Sequence, residues 1–233
     1  MIPFLRPLDP FPPVARARDT MGGLLAAGGG LPPERILDAY RQGIFPWGTV
    51  EGHPLWYSPD PRMVLFPAEF RLSRSLRKIL RGNDYEVRFD HDFAATIAAC
   101  AATERRGQDG TWISEPMMDA YLRLHQLGWA HSVETYVNGA LAGGLYGLAI
   151  GRMFYGESMF SRQSNASKIA FAHLVRVLND QQFGLIDCQM HTTHLASLGA
   201  REIGRREFSA HIRELTAGNA RVDWSAMPQR FVW

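Results

Sequence analysis

The chain has 233 residues, with 25 basic and 23 acidic side chains and a formal net charge of +2; 46% of residues are hydrophobic and 21% charged. That length buries a core unaided, and the composition excludes extended disorder and an all-over polycation. Two cysteines, Cys100 and Cys188, exclude a disulfide scaffold, and no CxxC pair supports a zinc ribbon or redox motif.

The opening MIPFLRPLDPFPP places prolines where a secretory signal needs a continuous apolar stretch. Residues 1–61 hold 11 of the 14 prolines and the cluster MGGLLAAGGGL, so a small, loop-rich N-terminal domain packed by aromatic residues is expected there. Within it, Pro32 and Pro33 start a helix, Ile36, Leu37 and Tyr40 form its apolar stripe, and Gly43 stops it. The segment GIFPWGTVEGHPLWYSPDPR follows. It is too rich in Pro and Gly for regular structure throughout, which leaves Trp47 and Trp56 in loops.

Residues 62–233 alternate between strand and helix patterns. Met63–Phe66 and Tyr85–Phe89 read as strands, Ser73–Arg81 and Phe93–Thr103 as helices, with Cys100 a small core residue of the second helix. Trp112 lies in a loop before a helix opened by Ser114 and Pro116, which carries Met117, Tyr121, Leu122, Leu124 and Leu127. Ala130–Val137 and Ala140–Ile150 flank Asn138-Gly139, a hairpin signal because both turn residues need positive φ. The second of these runs is the least polar in the chain, yet falls short of the roughly 20 residues a membrane helix needs. A soluble cytoplasmic protein is therefore expected. Met153–Met159 is a third strand. Asn165–Gln182 is a long helix with Ala166, Ile169, Ala170, His173, Leu174 and Val177 along one side. Gly184–Met190 reads as a strand, Thr193–Leu198 and Ala210–Leu215 as helices. Three antiparallel strands, a long helix and another strand predict an α+β fold. The order resembles an N-acetyltransferase-like (GNAT-type) domain, with a mixed, largely antiparallel sheet flanked by helices.

Charge is concentrated rather than spread. RLSRSLRKILR, residues 71–81, has five basic residues and no acidic one. Arg74, Arg77, Lys78 and Arg81 recur at three- and four-residue spacing and share one helix face, opposite Leu72, Leu76, Ile79 and Leu80. Such a stripe fits a phosphate backbone, and equally a solvated amphipathic face. Arg105-Arg106 and the set Arg201, Arg205 and Arg206 are further basic clusters, each diluted by glutamates. His191 and His194 form an HxxH without a carboxylate or cysteine at matching spacing, so no metal is expected. Trp47 and Trp112, held between Gly and Pro neighbours, suit base stacking.

Three segments carry the chemistry: FPWG at 45–48, FYGESMFSR at 154–162 and LIDCQMHTTHLASLGA at 185–200. With GLLAAGGGL, WYSPDPR at 56–62 and TWIS at 111–114, they resemble the leucyl/phenylalanyl-tRNA–protein transferase family over nearly the whole chain. One departure is Gly30, where the family pattern has Asp. The resemblance implies transfer of Leu, Phe or Met from aminoacyl-tRNA to the α-amino group of proteins beginning with Arg or Lys, creating a degradation signal. It implies no cofactor, no metal and no membrane, since an ester becoming an amide runs downhill. A monomer is expected.

On a strand, Asp187 and Gln189 would point to one face. Asp187 would then hold the Gln189 amide NH₂ and leave its carbonyl oxygen to accept from the incoming amine. Glu157, on a neighbouring strand, would hold an amine by a charge-assisted hydrogen bond. Whether these groups move the proton, or the tRNA ribose hydroxyl relays it, stays open at this level. The resemblance assigns the aminoacyl pocket to Leu145, Phe154, Met159, Ala170, Leu174, Leu178 and Ile186; Trp47 and Trp112 are then expected to hold the terminal adenosine, and Arg74, Arg77, Lys78 and Arg81 the acceptor-stem phosphates. A flexible Met159 suits both Leu and Phe side chains. Two alternatives belong to other classes. An acyl-CoA-dependent N-acetyltransferase needs a glycine-bearing pyrophosphate loop before the long helix, where this chain has SRQSNASK. A noncatalytic RNA-binding module has no use for the Asp–x–Gln.

Overall fold

The computed structural model describes residues 1–82, 84–103, 111–218, 222–229 and 231–233. Its N-terminal part is a four-stranded sheet in the order β1 (Phe4–Leu5), β2 (Leu24–Gly28), β4 (His53–Tyr57), β3 (Phe45–Val50), with α1 (Pro33–Arg41) between β2 and β3. The expected helix is present, but the placement of Trp47 and Trp56 in loops is corrected. FPWGTV and HPLWY pair as a hairpin, so Trp47 and Trp56 stand on strands. Pro46 is tolerated because β3 is the edge strand and its register breaks between Pro46 and Thr49. The turn uses Glu51 and Gly52, both at positive φ. Glu-Gly is not among the usual hairpin pairs, which hid the turn. Trp56 is fully buried and donates its indole N–H to the Gly28 carbonyl at 2.8 Å.

The second sheet has seven strands. It begins with β5 (Arg62–Leu65), α2 (Arg74–Leu80), β6 (Glu86–Phe89), α3 (Phe93–Ala101) and α4 (Glu115–Gln126). The hairpin β7 (Ala130–Val137) and β8 (Ala140–Ile150) continues into β9 (Met153–Ser161). Then come α5 (Ala166–Asp180), β10 (Leu185–Gln189), α6 (Thr193–Ser197), β11 (Arg201–Ile203) and α7 (Arg205–Leu215). The strand order is β11-β5-β10-β9-β8-β7-β6, antiparallel except where β10 runs parallel to β9. This is the α+β arrangement expected from the sequence, a mixed, largely antiparallel sheet flanked by helices. Asn138 and Gly139 sit at φ 50° and 76°, as the hairpin requires. Two details differ: β11 is an unexpected strand, and α7 starts at Arg205 instead of Ala210.

Alternation along β8 sorts the core into two layers. Tyr146, Leu148 and Ile150 pack with α3, α4 and the N-terminal residues Tyr40, Phe45 and Trp56. Leu145 faces the opposite way and packs with Phe154, Ile186 and the apolar side of α5. The sheet is thus covered on both faces, and its first layer continues into the N-terminal sheet. Among the described residues no helix is long and apolar enough to cross a membrane.

Two β-bulges lie side by side in the middle of this sheet. Tyr146 pairs with Ser158 and Gly147 with Gly156, so Glu157 is the extra residue of β9. A Cβ on Gly147 would meet the Tyr155 carbonyl and the Phe154 ring, so only glycine lets β8 close on this bulge. Asp187 pairs with Val64 and Gln189 with Met63, so Cys188 is the extra residue of β10, and Gln189 turns to φ +61°. Bulges re-aim side chains out of the strand alternation, and here they prepare a site.

Candidate active site

A cavity of about 400 Å³ opens over the bulges. Phe45 and Trp47 from β3 and Trp112 ahead of α4 form one side. Leu145 on β8, Phe154, Glu157 and Met159 on β9, Phe171 and Leu174 on α5, and Ile186, Cys188 and Gln189 on β10 form the rest. Five residues expected in an aminoacyl pocket therefore line it: Leu145, Phe154, Met159, Leu174 and Ile186. Ala170 and Leu178 do not. Both are fully buried in α5, but a helix turns about 100° per residue and rises 1.5 Å. Ala170 is rotated away from the wall that its neighbour Phe171 occupies, and Leu178 lies one turn beyond Leu174. Phe171 and Cys188, neither of them expected in the pocket, are wall residues too. Burial pushes the Cys188 thiol up, so it stays protonated. His194 also borders the cavity, and burial together with nearby Lys168 lowers its pKa.

Glu157 is the cavity's buried acid, 8% exposed. Its Oε1 lies 2.6 Å from the Tyr40 hydroxyl and 3.1 Å from Gln189 Nε2, and its Oε2 lies 2.8 Å from the Tyr121 hydroxyl. The two hydroxyls are themselves 2.7 Å apart. Burial pushes the Glu157 carboxyl up to about 7, against the lowering effect of the tyrosine hydrogen bonds. Burial and the facing Glu157 hold both tyrosines well above the ordinary phenol range, so they remain hydroxyls. Tyr40 and Tyr121 stood in apolar helix stripes and drew no functional reading. The usable signal was a Tyr where Phe would have served, because a buried phenol needs a partner.

Asp187 behaves differently from the sequence expectation. It is fully buried in a bidentate pair with Arg62, Nε to Oδ1 at 2.9 Å and Nη2 to Oδ2 at 2.7 Å. Its Oδ1 also accepts the backbone N–H of Gln189 at 2.9 Å. It does not touch the Gln189 side chain, whose amide NH₂ donates to Glu157. The Cys188 bulge is the reason: it breaks the two-residue alternation and turns Gln189 left-handed, so the two side chains do not share a face. Gln189 still has its amide nitrogen engaged, leaving the carbonyl oxygen as the acceptor. Arg62, sandwiched at 4.6 and 4.7 Å from the Phe45 and Phe208 rings, carries the buried charge that balances Asp187.

Helix α2 presents Arg74, Arg77 and Lys78 to solvent, with Arg81 exposed at its C-cap, and buries Leu76 and Leu80 in the same core layer as Phe171 and Leu174. Ser73 caps its N-terminus by accepting from the Leu76 N–H. Arg81 donates to the Trp233 carbonyl at 2.9 Å. Among the described residues, no carboxylate pairs with Arg74, Arg77 or Lys78. In the other cluster, Arg201 pairs with Glu69, and Arg205 with Asp19 and Asp60. Arg105-Arg106 lie outside the described residues. The phosphate-backbone reading of the stripe predicts that replacing Arg77 and Lys78 together by Ala weakens RNA binding and lowers the slope of log K against log salt by about 1 per cation. Binding measured over a salt series checks this, and an unchanged slope would reduce the stripe to solvated surface.

A model of the leucyl/phenylalanyl-tRNA protein transferase family matches residues 64–213, and a model of that family's N-terminal domain matches residues 29–60. The chain belongs to the leucyl/phenylalanyl-tRNA–protein transferase family. Proteins of that name from Dechloromonas aromatica (strain RCB) and Azoarcus sp. (strain BH72) are 68% and 58% identical to it, over 98% and 97% of this chain and 98% and 96% of theirs. A solved ribosomal-protein-alanine N-acetyltransferase from Brucella melitensis biovar Abortus 2308 overlays with a TM-score of 0.35 at 16% identity, over 64% of this chain and 100% of that one. As a member of this family, the protein is an aminoacyltransferase acting on aminoacyl-tRNA and a protein.

Proposed function

We propose that the protein moves Leu, Phe or Met from the 3′ ester of aminoacyl-tRNA to the α-amino group of proteins beginning with Arg or Lys, and so marks them for proteolysis. The observation that carries this reading is an apolar cavity with Glu157 and Gln189 at its polar end. The donor side chain enters between Leu145, Phe154, Met159 and Ile186. The acceptor nitrogen bonds to the ester carbonyl carbon, the bond from that carbon to the ribose oxygen breaks, and the amine proton ends on the ribose hydroxyl. The Gln189 carbonyl oxygen orients the attacking amine, and Glu157 fixes that amide from its nitrogen side. Asp187 works one step back, through the Gln189 backbone and Arg62. Most of the acceleration then comes from holding amine and ester together.

Trp47 and Trp112 flank the cavity from separate elements and supply the stacking surfaces for the terminal adenosine. Arg74, Arg77, Lys78 and Arg81 take acceptor-stem phosphates, a shape-based contact. We divide the chain between β4 and β5, into residues 1–61 and 62–233, with the first part supplying Phe45 and Trp47 to the cavity. With tRNA as donor, the work is done in the cytoplasm, by a monomer. The test is incubation with radiolabelled Leu-tRNA and two acceptors that differ only in an N-terminal Arg or Gly. Label on the Arg protein alone is expected; equal labelling, or none on the Arg protein, overturns the proposal.

A further inference from the structure

We propose that Tyr40, Tyr121 and Glu157 form a closed ring of three hydrogen bonds that keeps the Glu157 carboxyl neutral while the cleft is empty. The argument is a proton count. Three short contacts close the ring: Tyr40 Oη to Glu157 Oε1 at 2.6 Å, Tyr121 Oη to Glu157 Oε2 at 2.8 Å, and the two hydroxyls at 2.7 Å. Each contact needs one hydrogen, and two oxygens this close without one oppose their lone pairs. Two phenols supply two protons. An ionised Glu157 therefore leaves one contact empty, whereas a neutral carboxyl fills all three. Both tyrosines are fully buried and Glu157 nearly so, so bulk water does not make up the deficit.

The direction of the ring follows from Gln189. Its Nε2 donates to Oε1 at 3.1 Å, which makes Oε1 the carbonyl-like oxygen and places the carboxyl proton on Oε2. Oε2–H then donates to Tyr121, Tyr121 to Tyr40, and Tyr40 back to Oε1. The groups around the ring are two further phenols, an ion pair, an imidazole and a thiol. Tyr146 meets the Tyr121 ring edge-on, and Tyr155 donates to the Tyr40 backbone carbonyl. Asp187 and Arg62 neutralise each other, while His194 and Cys188 stand elsewhere on the cavity wall. The upward shift of the Glu157 carboxyl is in the same direction.

The ring explains how a buried acid receives a cation without a charge penalty. When an α-ammonium enters, Glu157 gives its proton to solvent, and an ammonium N–H bonded to the new carboxylate offsets the one ring contact that loses its hydrogen. One positive charge arrives, one leaves, and the cleft's net charge is unchanged. Tyr40 and Tyr121 act through Glu157 and are positioning residues.

The test is infrared titration of the free protein, following the protonated-carboxyl band identified by its absence in Glu157→Gln. The wild-type band is expected to persist to near-neutral pH. In Tyr40→Phe and in Tyr121→Phe the ring is open, and no empty contact penalises the carboxylate. The band should then titrate lower by about one unit, tenfold in the proton equilibrium. If the hydroxyls merely donate to a carboxylate, removing one raises the titration point instead. A shift upward, or none, overturns the ring. So does a wild-type Glu157 that titrates in the ordinary carboxylate range, a result that needs no variant to fold. Adding leucinamide at pH 6 is expected to abolish the wild-type band, and persistence of the band overturns the coupling to ammonium entry. Only this coupling rests on the aminoacyl reading of the cavity. The free-protein titration stands whether or not transfer is observed, so the two readings fail separately.

Discussion

Asp187→Ala is expected to destabilise the protein by about 3–5 kcal/mol, the usual cost of leaving one partner of a buried ion pair alone. That is a large part of the roughly 5–15 kcal/mol that holds a domain folded. The guanidinium of Arg62 has no route to water: it is fully buried, clamped between Phe45 and Phe208, with Asp187 as its ion-pair partner. Loss of transfer in this variant therefore mixes unfolding with any effect on the site. The double variant Arg62→Met/Asp187→Leu separates them. Replacing a buried pair by apolar groups of similar volume is often neutral or stabilising, so most of the stability should return. Transfer should not return. The Gln189 N–H would have lost its acceptor, and the left-handed turn that aims the amide would have lost its anchor. Urea unfolding and single-turnover transfer, run on all three proteins, read the two effects apart. Wild-type stability in Asp187→Ala would contradict the buried-pair account; full transfer by the double variant would remove Asp187 from the positioning of Gln189.

Met159→Trp is expected to cut leucyl and phenylalanyl transfer about 100-fold or more while leaving tRNA binding near wild type. Met159 faces Leu145 across the β8–β9 ladder, and both line the cavity. An indole there fills the space a leucyl side chain needs, and an ester displaced by about 1 Å already loses about 100-fold. The fold should tolerate the change, since the new ring projects into open volume instead of a packed core, where overpacking costs about 1–3 kcal/mol. Phosphate contacts on α2 are untouched, so binding and transfer should part company. Full leucyl transfer by this variant would take Met159 out of the pocket.

The regular elements were legible because their patterns are local. The i, i+3, i+4 stripes of α1, α2 and α5 and the Asn138-Gly139 turn follow from side-chain spacing and backbone φ alone. The N-terminal strands were not, because Pro46, Gly48 and Pro54 disguise the β3–β4 hairpin, and the other partner of β4, on β2, is remote in sequence, as in Ala26 opposite Trp56. The site was half legible. Motif spacing located Glu157, Asp187 and Gln189. Strand alternation then misassigned the partner of Gln189, since a bulge adds one residue with no mark in local sequence. Arg62 followed a Pro and drew no attention, yet a buried Asp187 demanded a cation. Tyr40 and Tyr121 read as apolar stripe positions, and only the three-dimensional meeting of α1, α4 and β9 shows where their hydroxyls go.

The central claim is that the cavity above the two bulges seats the aminoacyl end of the tRNA. A co-crystal structure with 3′-leucylamino-3′-deoxyadenosine, a stable amide analogue of that end, tests it most directly. The leucyl side chain should lie among Leu145, Met159 and Ile186, with its α-amine beside Glu157 and its adenine against Trp47 or Trp112. A leucyl group seated outside this cavity, with Glu157 and Gln189 untouched, would contradict the account.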